Sequence, residues 1–225
     1  MIPRVLIDSA PIPGGGGELR LIRRGDDFWI MLGSNALMST RLRGSEEALA
    51  TLVCERLAGR PGPALLIGGL GMGFTLRAAL AALGRDASVT VSELVPTIVD
   101  WARGPMAHVH SGSLDDPRVR IVLGDVGDLI AGARSSFDSI LLDVDNGPDA
   151  LSRDSNDRLY DLDGLHRART ALKPGGILAI WSAAADPAFT RRLGKAGFAV
   201  EEVTVRAHAG RKGAKHMIWL ATRRR

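Results

Sequence analysis

Four short apolar runs in this 225-residue chain each end on residues that can hold or transform a polar ligand. Ala64–Ile67 runs into glycines at 68, 69, 71 and 73, and Val89–Ser92 runs into Glu93. Val119–Leu123 leads to Gly124-Asp125-Val126, and Ser139–Leu142 leads to Asp143, with Asp145 just beyond. Gly68, Gly69, Gly71 and Gly73 have no side chains to keep a ligand at a distance, and the apolar segment Phe74–Leu83 that follows offers the free N–H groups of a helix start. Glu93 falls about 20 residues past this turn, where a carboxylate meets the ribose hydroxyls in nucleoside-binding βαβ units. The spacing is G-x-G-x-G and not the dinucleotide G-x-G-x-x-G, which points away from NAD and toward an adenosyl-sulfonium cofactor.

In an open α/β sheet, ligands gather beyond the carboxyl ends of the strands, where the strand order reverses. Asp125, with Val126 beside it, either contacts the adenine amino group there or caps the helix that follows. Asp143, directly at a buried strand end, is the best candidate for a reacting group. The loop after it carries Asp145, Asp149, Asp154, Asp157, Asp161 and Asp163 against Arg153 and Arg158. Clustered carboxylates repel one another unless a cation is near, so this edge suits a positive ligand or proton abstraction. Asp161 and Asp163 also read as turn caps. Tyr160, the only tyrosine, either packs or lines the site with Asp143 and Asp145. The basic stretch 206–216 should overhang the same edge, to clamp an anionic acceptor or to neutralise the aspartates. The five histidines show no ligand spacing, so no metal is expected.

The elements that must position these residues follow from periodicity. Runs at Glu18–Ile22, Phe28–Leu32 and Ala36–Arg41, punctuated by Gly25 and Gly33, predict a small antiparallel sheet. Ser45 is expected to cap an amphipathic helix over Glu46–Ala58, with Glu46 and Glu47 favouring its positive end. Gly59-Arg-Pro-Gly-Pro63 breaks the chain into a β-cap with linking helix, residues 1–58, and a main domain, residues 59–225. There strands and helices alternate, through Leu162–Ala171, Ile177–Trp181 and Pro187–Ala196. Near-continuous apolar strands are those of a parallel sheet covered on both faces. Ala199–Ala207 and His216–Thr222 close the chain as a hairpin whose last strand runs antiparallel. The expectation is an α/β protein: a Rossmann-like class I methyltransferase fold, mostly parallel, plus a small N-terminal antiparallel β-cap.

Composition narrows the function classes. Apolar residues at 45% and charged residues at 24% describe a soluble globular chain. No apolar run approaches the ~18 residues of a membrane span. The N-terminus lacks the core of a signal peptide, and the lone Cys54 excludes internal disulfides, which fits a reducing cytoplasm. The net charge of +4 concentrates in 206–216 and Arg223–Arg225, and aromatics at 4% give no base-stacking platform. Both facts argue against nucleic acid, although a non-catalytic nucleoside- or RNA-binding module stays an alternative. An exposed edge of the β-cap could pair with a second copy in a homodimer.

The blocks Ile67-Gly-Gly-Leu-Gly-Met-Gly-Phe-Thr-Leu-Arg77, Asp116-Pro-Arg-Val-Arg-Ile-Val-Leu-Gly-Asp125, Phe137-Asp-Ser-Ile-Leu-Leu-Asp143 and Leu172-Lys-Pro-Gly-Gly-Ile-Leu178 resemble spermidine synthase and its relatives over about residues 60–182. The resemblance implies that Asp143 is the base freeing an attacking amine, while Glu93 and Asp125 hold the nucleoside. Three departures stand beside it. Gly68–Phe74 carries no acid, where aminopropyltransferases place one facing the amino end of decarboxylated S-adenosylmethionine. The family's Asp-Ser/Thr-x-Asp-Pro loop is replaced by Asp143-Val-Asp-Asn-Gly-Pro148. Its Tyr- and Glu-bearing acceptor segment falls on the mostly apolar Glu47–Leu52. An acid-free turn would leave its N–H groups to the carboxylate of intact S-adenosylmethionine. The expectation is therefore methyl transfer to a small-molecule acceptor, with aminopropyl transfer from decarboxylated S-adenosylmethionine to a polyamine as the alternative.

Overall fold

The computed structural model describes residues 2–15, 17–143, 158–207 and 214–224. The chain opens with β1 (Val5–Pro11), β2 (Glu18–Arg24), β3 (Asp27–Leu32) and β4 (Asn35–Ser39), an antiparallel meander in sequence order. Alternation builds it: Leu19 and Leu21 of β2 and Phe28 and Ile30 of β3 are buried on one face. Gly25 and Gly33, at φ 61° and 58°, close the two-residue hairpins between these strands. The sequence reading missed β1, an edge strand whose exposed Val5 and Leu6 break the alternation.

Helix α1 (Gly44–Arg56) follows. Ser45 does not cap it, contrary to the sequence expectation. Arg43 holds that position without a side-chain bond, and Ser45 lies inside the first turn with its Oγ 2.9 Å from Nδ1 of His216. The remaining elements are β5 (Ala64–Gly68), α2 (Phe74–Ala82), β6 (Ser88–Glu93), α3 (Pro96–Arg103), α4 (Ala107–His110), β7 (Val119–Leu123), α5 (Val126–Gly132), β8 (Phe137–Leu142), α6 (Leu162–Ala171), β9 (Leu172–Ser182), α7 (Pro187–Lys195), β10 (Phe198–Arg206) and β11 (Lys215–Arg223).

Seven of these strands form one sheet in the order β10-β11-β9-β8-β5-β6-β7. β5 to β9 pair in parallel, and β11 lies antiparallel between β9 and β10. The fold is the mostly parallel, Rossmann-like α/β architecture expected, with its final antiparallel strand and its N-terminal antiparallel sheet. Period-two alternation sorts the sheet into two apolar faces. Leu65, Ile67, Val89, Val91 and Leu141 join α1, α2, α3 and the N-terminal sheet in one cluster, whereas Leu66, Ile140, Leu142, Leu178 and Trp219 join α5, α6 and α7 in the other. Each buried side chain of this size contributes roughly 1.5–3 kcal/mol. No helix among the described residues is long and apolar enough to cross a membrane.

The chain leaves β5 toward β6 and β7, then returns across it to β8, so the strand order reverses between β5 and β8. That reversal brings the glycine turn, Glu93, Asp125 and Asp143 to one edge. Arg118, from the Asp116-Pro-Arg-Val block, fixes the opposite end of this region. It pairs with Asp116 at 2.8 Å and donates from Nη1 to the carbonyls of Leu80 (3.0 Å) and Leu83 (2.9 Å) at the end of α2. That motif is structural.

Candidate active site

Gly69, Gly71 and Gly73 all have left-handed φ, at 87°, 48° and 74°. Gly71 has a steric reason as well, because a Cβ there would lie 2.5 Å from Sδ of Met38, which reaches over the turn from β4. Glu93, 5% exposed, binds this turn from the end of β6. Its Oε2 accepts from the amide of Leu70 at 2.8 Å and its Oε1 from that of Val95 at 2.9 Å. Burial raises the Glu93 pKa, and the backbone amides of Val95, Leu70, Gly71 and Leu94 oppose that rise. A carboxylate has about four acceptor positions, so Glu93 can shape the turn and still accept from a diol.

Gly69, Gly71, Ser92, Glu93, Gly124, Asp125, Val126 and Asp143 line one cavity, roofed by Ile12, Leu19, Ile30, Leu32 and Leu37 of the N-terminal region. Asp125 serves as the cap of α5, its Oδ1 accepting from the amide of Gly127 at 2.7 Å, while also bordering this cavity. Both readings of Asp125 therefore fit its position. Gly68 belongs to the packing beneath, since a Cβ there would meet Leu142 and Val126.

Asp143 also opens onto a second cavity, lined by Trp29, Leu37, Met38, Leu42, Ser45, Glu46, Trp181 and His216. Its Oδ2 accepts from the Thr75 hydroxyl at 3.2 Å. Burial pushes its pKa up to about 6, and the Thr75 bond opposes this. Glu46, in the first turn of α1, lines the same cavity and also a narrow cleft with Gly69–Thr75 and Asp143. Its Oε2 is buried without a hydrogen-bond partner. Burial first, then the negative charges of Asp143 and Glu47, hold its carboxyl far above the ordinary range. The far wall is aromatic: Trp181 and His216 meet edge to face at 4.8 Å, and burial lowers the His216 pKa, keeping the ring neutral near pH 7.

The structure thus brings Gly69, Gly71, Glu93, Asp125, Val126 and Asp143 to one cleft, with Gly73 at its edge. It places Tyr160 elsewhere. That side chain is buried in the core on the other face of the sheet, edge-on to Phe189 at 5.7 Å. Asp145 and the acidic loop through Asp157 lie outside the described residues, as do residues 208–213 of the basic stretch. Asp161 caps α6 by accepting from the amide of Gly164 at 2.6 Å. Glu46, Thr75 and Trp181 line these cavities although the sequence reading did not select them, and His216, the last residue of the basic stretch expected at this edge, does so too. For Glu46 a sign was available: Leu49, Ala50 and Val53, three, four and seven residues on, are the buried stripe of α1, so Glu46 heads an inward-facing row.

The expectation of methyl transfer needed free N–H groups in the turn. Several are already engaged: the amide of Gly69 donates to the Ser92 carbonyl (2.9 Å), that of Leu70 to Glu93, and that of Gly73 to the Leu70 carbonyl (2.8 Å). Similar proteins point the same way. The polyamine aminopropyltransferase of Mycobacterium tuberculosis H37Rv is 31% identical over 166 residues, covering 72% of this chain and 30% of that protein. Its namesake from Nitrosomonas europaea is 36% identical over 124 residues, covering 54% and 35%. The chain thus spans about a third of the length of these curated relatives. Their names favour the aminopropyl alternative over methyl transfer. The solved spermidine synthase from Thermotoga maritima superposes with a TM-score of 0.74 over 96% of this chain and 72% of its own, at 18% identity, so the fold is shared. A spermidine synthase bound to the transition-state analogue AdoDATO matches equally well. The model of the spermine/spermidine synthase domain matches residues 45–193, about two thirds of the chain, and to that family the protein belongs.

Proposed function

We propose that this chain is a transferase that moves an aminopropyl group from decarboxylated S-adenosylmethionine to a small amine. The observation that carries the reading is the position of Asp143, which borders both the cavity at the strand ends and the second, aromatic-walled cavity. The residues present fit such a donor. Glu93 and Asp125 offer acceptors for ribose and adenine, and Glu46, with an unpartnered carboxyl oxygen, lines the cleft at the glycine turn. When bound, the donor supplies a sulfonium-activated carbon: a C–N bond forms to the amine as the C–S bond breaks, and its electron pair leaves on sulfur as neutral 5′-methylthioadenosine.

The chain's own part is positioning and proton removal. An alkyl amine is an ammonium near neutral pH, with a reference pKa of about 10, and cannot attack until a proton leaves. A carboxylate at Asp143 attracts that ammonium and accepts its proton as the nitrogen lone pair turns to carbon. The raised pKa of Asp143 makes it a better base than an exposed aspartate. Trp181, Trp29 and Leu42 shield the amine's carbon chain from water. Incubation with decarboxylated S-adenosylmethionine and a panel of di- and polyamines tests the reading. Release of 5′-methylthioadenosine with a matching mass gain on one amine is expected. Methylated amine and S-adenosylhomocysteine from the intact donor would overturn it.

A further inference from the structure

Glu46 takes no part in the proton transfer above, and its environment asks for a ligand. Its Oε2 is buried and unpartnered, and burying a carboxyl oxygen without a partner is unfavourable. Among the described residues, the charged side chains that border the narrow cleft are Glu46 and Asp143, both acidic. The rest of the wall is the turn Gly69–Thr75 and Met38. The turn itself supplies no carboxylate, and its amides at 69, 70 and 73 are engaged. Helix α1 therefore presents an acid to the turn from outside the strand-end set. An ammonium placed against this wall gives Glu46 a counter-charge that draws its carboxyl into the ionised form, whereas a ligand carboxylate only adds to the negative charge of Asp143 that already keeps it protonated. Like-charge juxtaposition turns a wrong ligand away, so specificity can rest on a repulsive element as well as on an attractive one.

We infer that Glu46 determines which sulfonium donor this chain accepts, its carboxyl receiving the terminal ammonium of the decarboxylated form and turning away the carboxylate of the intact form. The inference rests on the aminopropyl reading and assigns its donor selectivity to one residue. The missing acid of the glycine turn is replaced in space by a residue more than twenty positions earlier in the chain. Helix geometry permits this because α1 packs along α2, and Thr75 Oγ1 lies 3.4 Å from the Glu46 carbonyl and 3.2 Å from the Asp143 carboxyl. That contact fixes the first turn of α1 beside the start of α2.

Calorimetry on the wild-type chain, Glu46→Gln and Glu46→Ala with three ligands tests this. The ligands are decarboxylated S-adenosylmethionine, the intact form, and 5′-methylthioadenosine, which lacks the amino-acid tail. The wild type is expected to prefer the decarboxylated form by at least about tenfold, equivalent to ~1.4 kcal/mol. In both variants the preference should shrink to within about threefold, or ~0.7 kcal/mol, with 5′-methylthioadenosine affinity within about twofold of wild type. A preference that survives both substitutions would overturn the role of Glu46 and leave the aminopropyl reading standing. A wild type that prefers the intact form, or binds neither, would overturn both. Loss of all three ligands together in Glu46→Gln would make Glu46 a structural group and also overturn the inference.

Discussion

Strand β8 carries an acid at each end, and the two differ in every partner. Asp138, near its start, is 5% exposed and fully engaged. It accepts from the Ala64 amide at 2.9 Å, from Lys173 Nζ at 2.7 Å and from Arg60 Nη1 at 3.0 Å. Burial alone would raise its pKa, but the Ala64 amide, Lys173 and Arg60 outweigh it and bring the pKa below the ordinary value. Asp143, one residue past the other end, has the Thr75 hydroxyl and a facing acid, and burial raises its pKa. A buried carboxylate whose neighbours already satisfy it holds the fold together. One that is left underpaired beside a cavity is waiting for a cation or a proton. On the proposed reading the same strand supplies a structural acid at the amino edge and the reacting acid at the carboxyl edge.

Exchanging each acid for its amide should split these roles. Asp143→Asn should lower turnover by ~10²–10⁴, the usual worth of a positioned general base, with donor affinity within about twofold. Its melting temperature should hold or rise, because an amide needs no charge desolvated. Asp138→Asn should behave in reverse. It leaves Arg60 and Lys173 without their common anion, and since both are about one-third exposed, water softens the loss to roughly 1–3 kcal/mol of stability. Its turnover per folded molecule should stay near wild type. Steady-state rates beside melting curves decide the matter; an active but unstable Asp143→Asn would exchange the two assignments.

The sheet is legible in the sequence because run length and alternation carry it. Val119–Leu123 and Leu162–Ala171 are read to the residue. The strand-end acids are legible for the same reason, since each closes an apolar run. Residues whose partners lie far along the chain are not. Ser45 reads as a helix cap because serine before an apolar helix usually is one, but its partner His216 is 171 positions away. Glu46 reads as an acid beside the helix dipole, and its inward direction depends on how α1 lies against α2. Tyr160 reads as close to the acidic loop, but the helical turn at its position directs the ring into the opposite core.

Glu93 tests whether the carboxyl edge is uniform. Unlike Asp143 it is already bonded to backbone, so Glu93→Ala should do two things at once. Donor affinity should fall by ~1–3 kcal/mol through lost hydrogen bonds to ribose. The amides of Leu70 and Val95 would also lose their acceptor, so the turn should loosen, visible as faster amide exchange at 69–73. Glu93→Gln keeps one acceptor oxygen and should recover part of each effect. Unchanged nucleoside affinity in a folded Glu93→Ala would place the ribose elsewhere and make Glu93 resemble Asp138, a builder only.

The remaining contrast is in the pH dependence of stability, and its sign separates the two acid regions. Asp143 is pushed up to about 6 and Glu46 to about 9, both above their values in an unfolded chain. Between the unfolded and folded values the folded chain holds protons that the unfolded chain has lost. Stability from this pair is therefore complete below about pH 4 and declines as pH rises, most of it gone above about pH 9. Because the two groups interact, the decline belongs to the pair and not to either residue alone. Asp138 acts with the opposite sign: its contribution is present above its unfolded value and is lost as pH falls through the lowered one. Glu46→Gln cannot ionise and also removes a charge facing Asp143. Its melting temperature should match wild type near pH 4 and exceed it by a widening margin toward pH 9. In Asp138→Asn the gap should have the other sign, narrowing toward acid. A constant offset between Glu46→Gln and wild type across this range would mean that the pair holds no proton in the ligand-free site, and the contrast between the two ends of β8 would reduce to geometry.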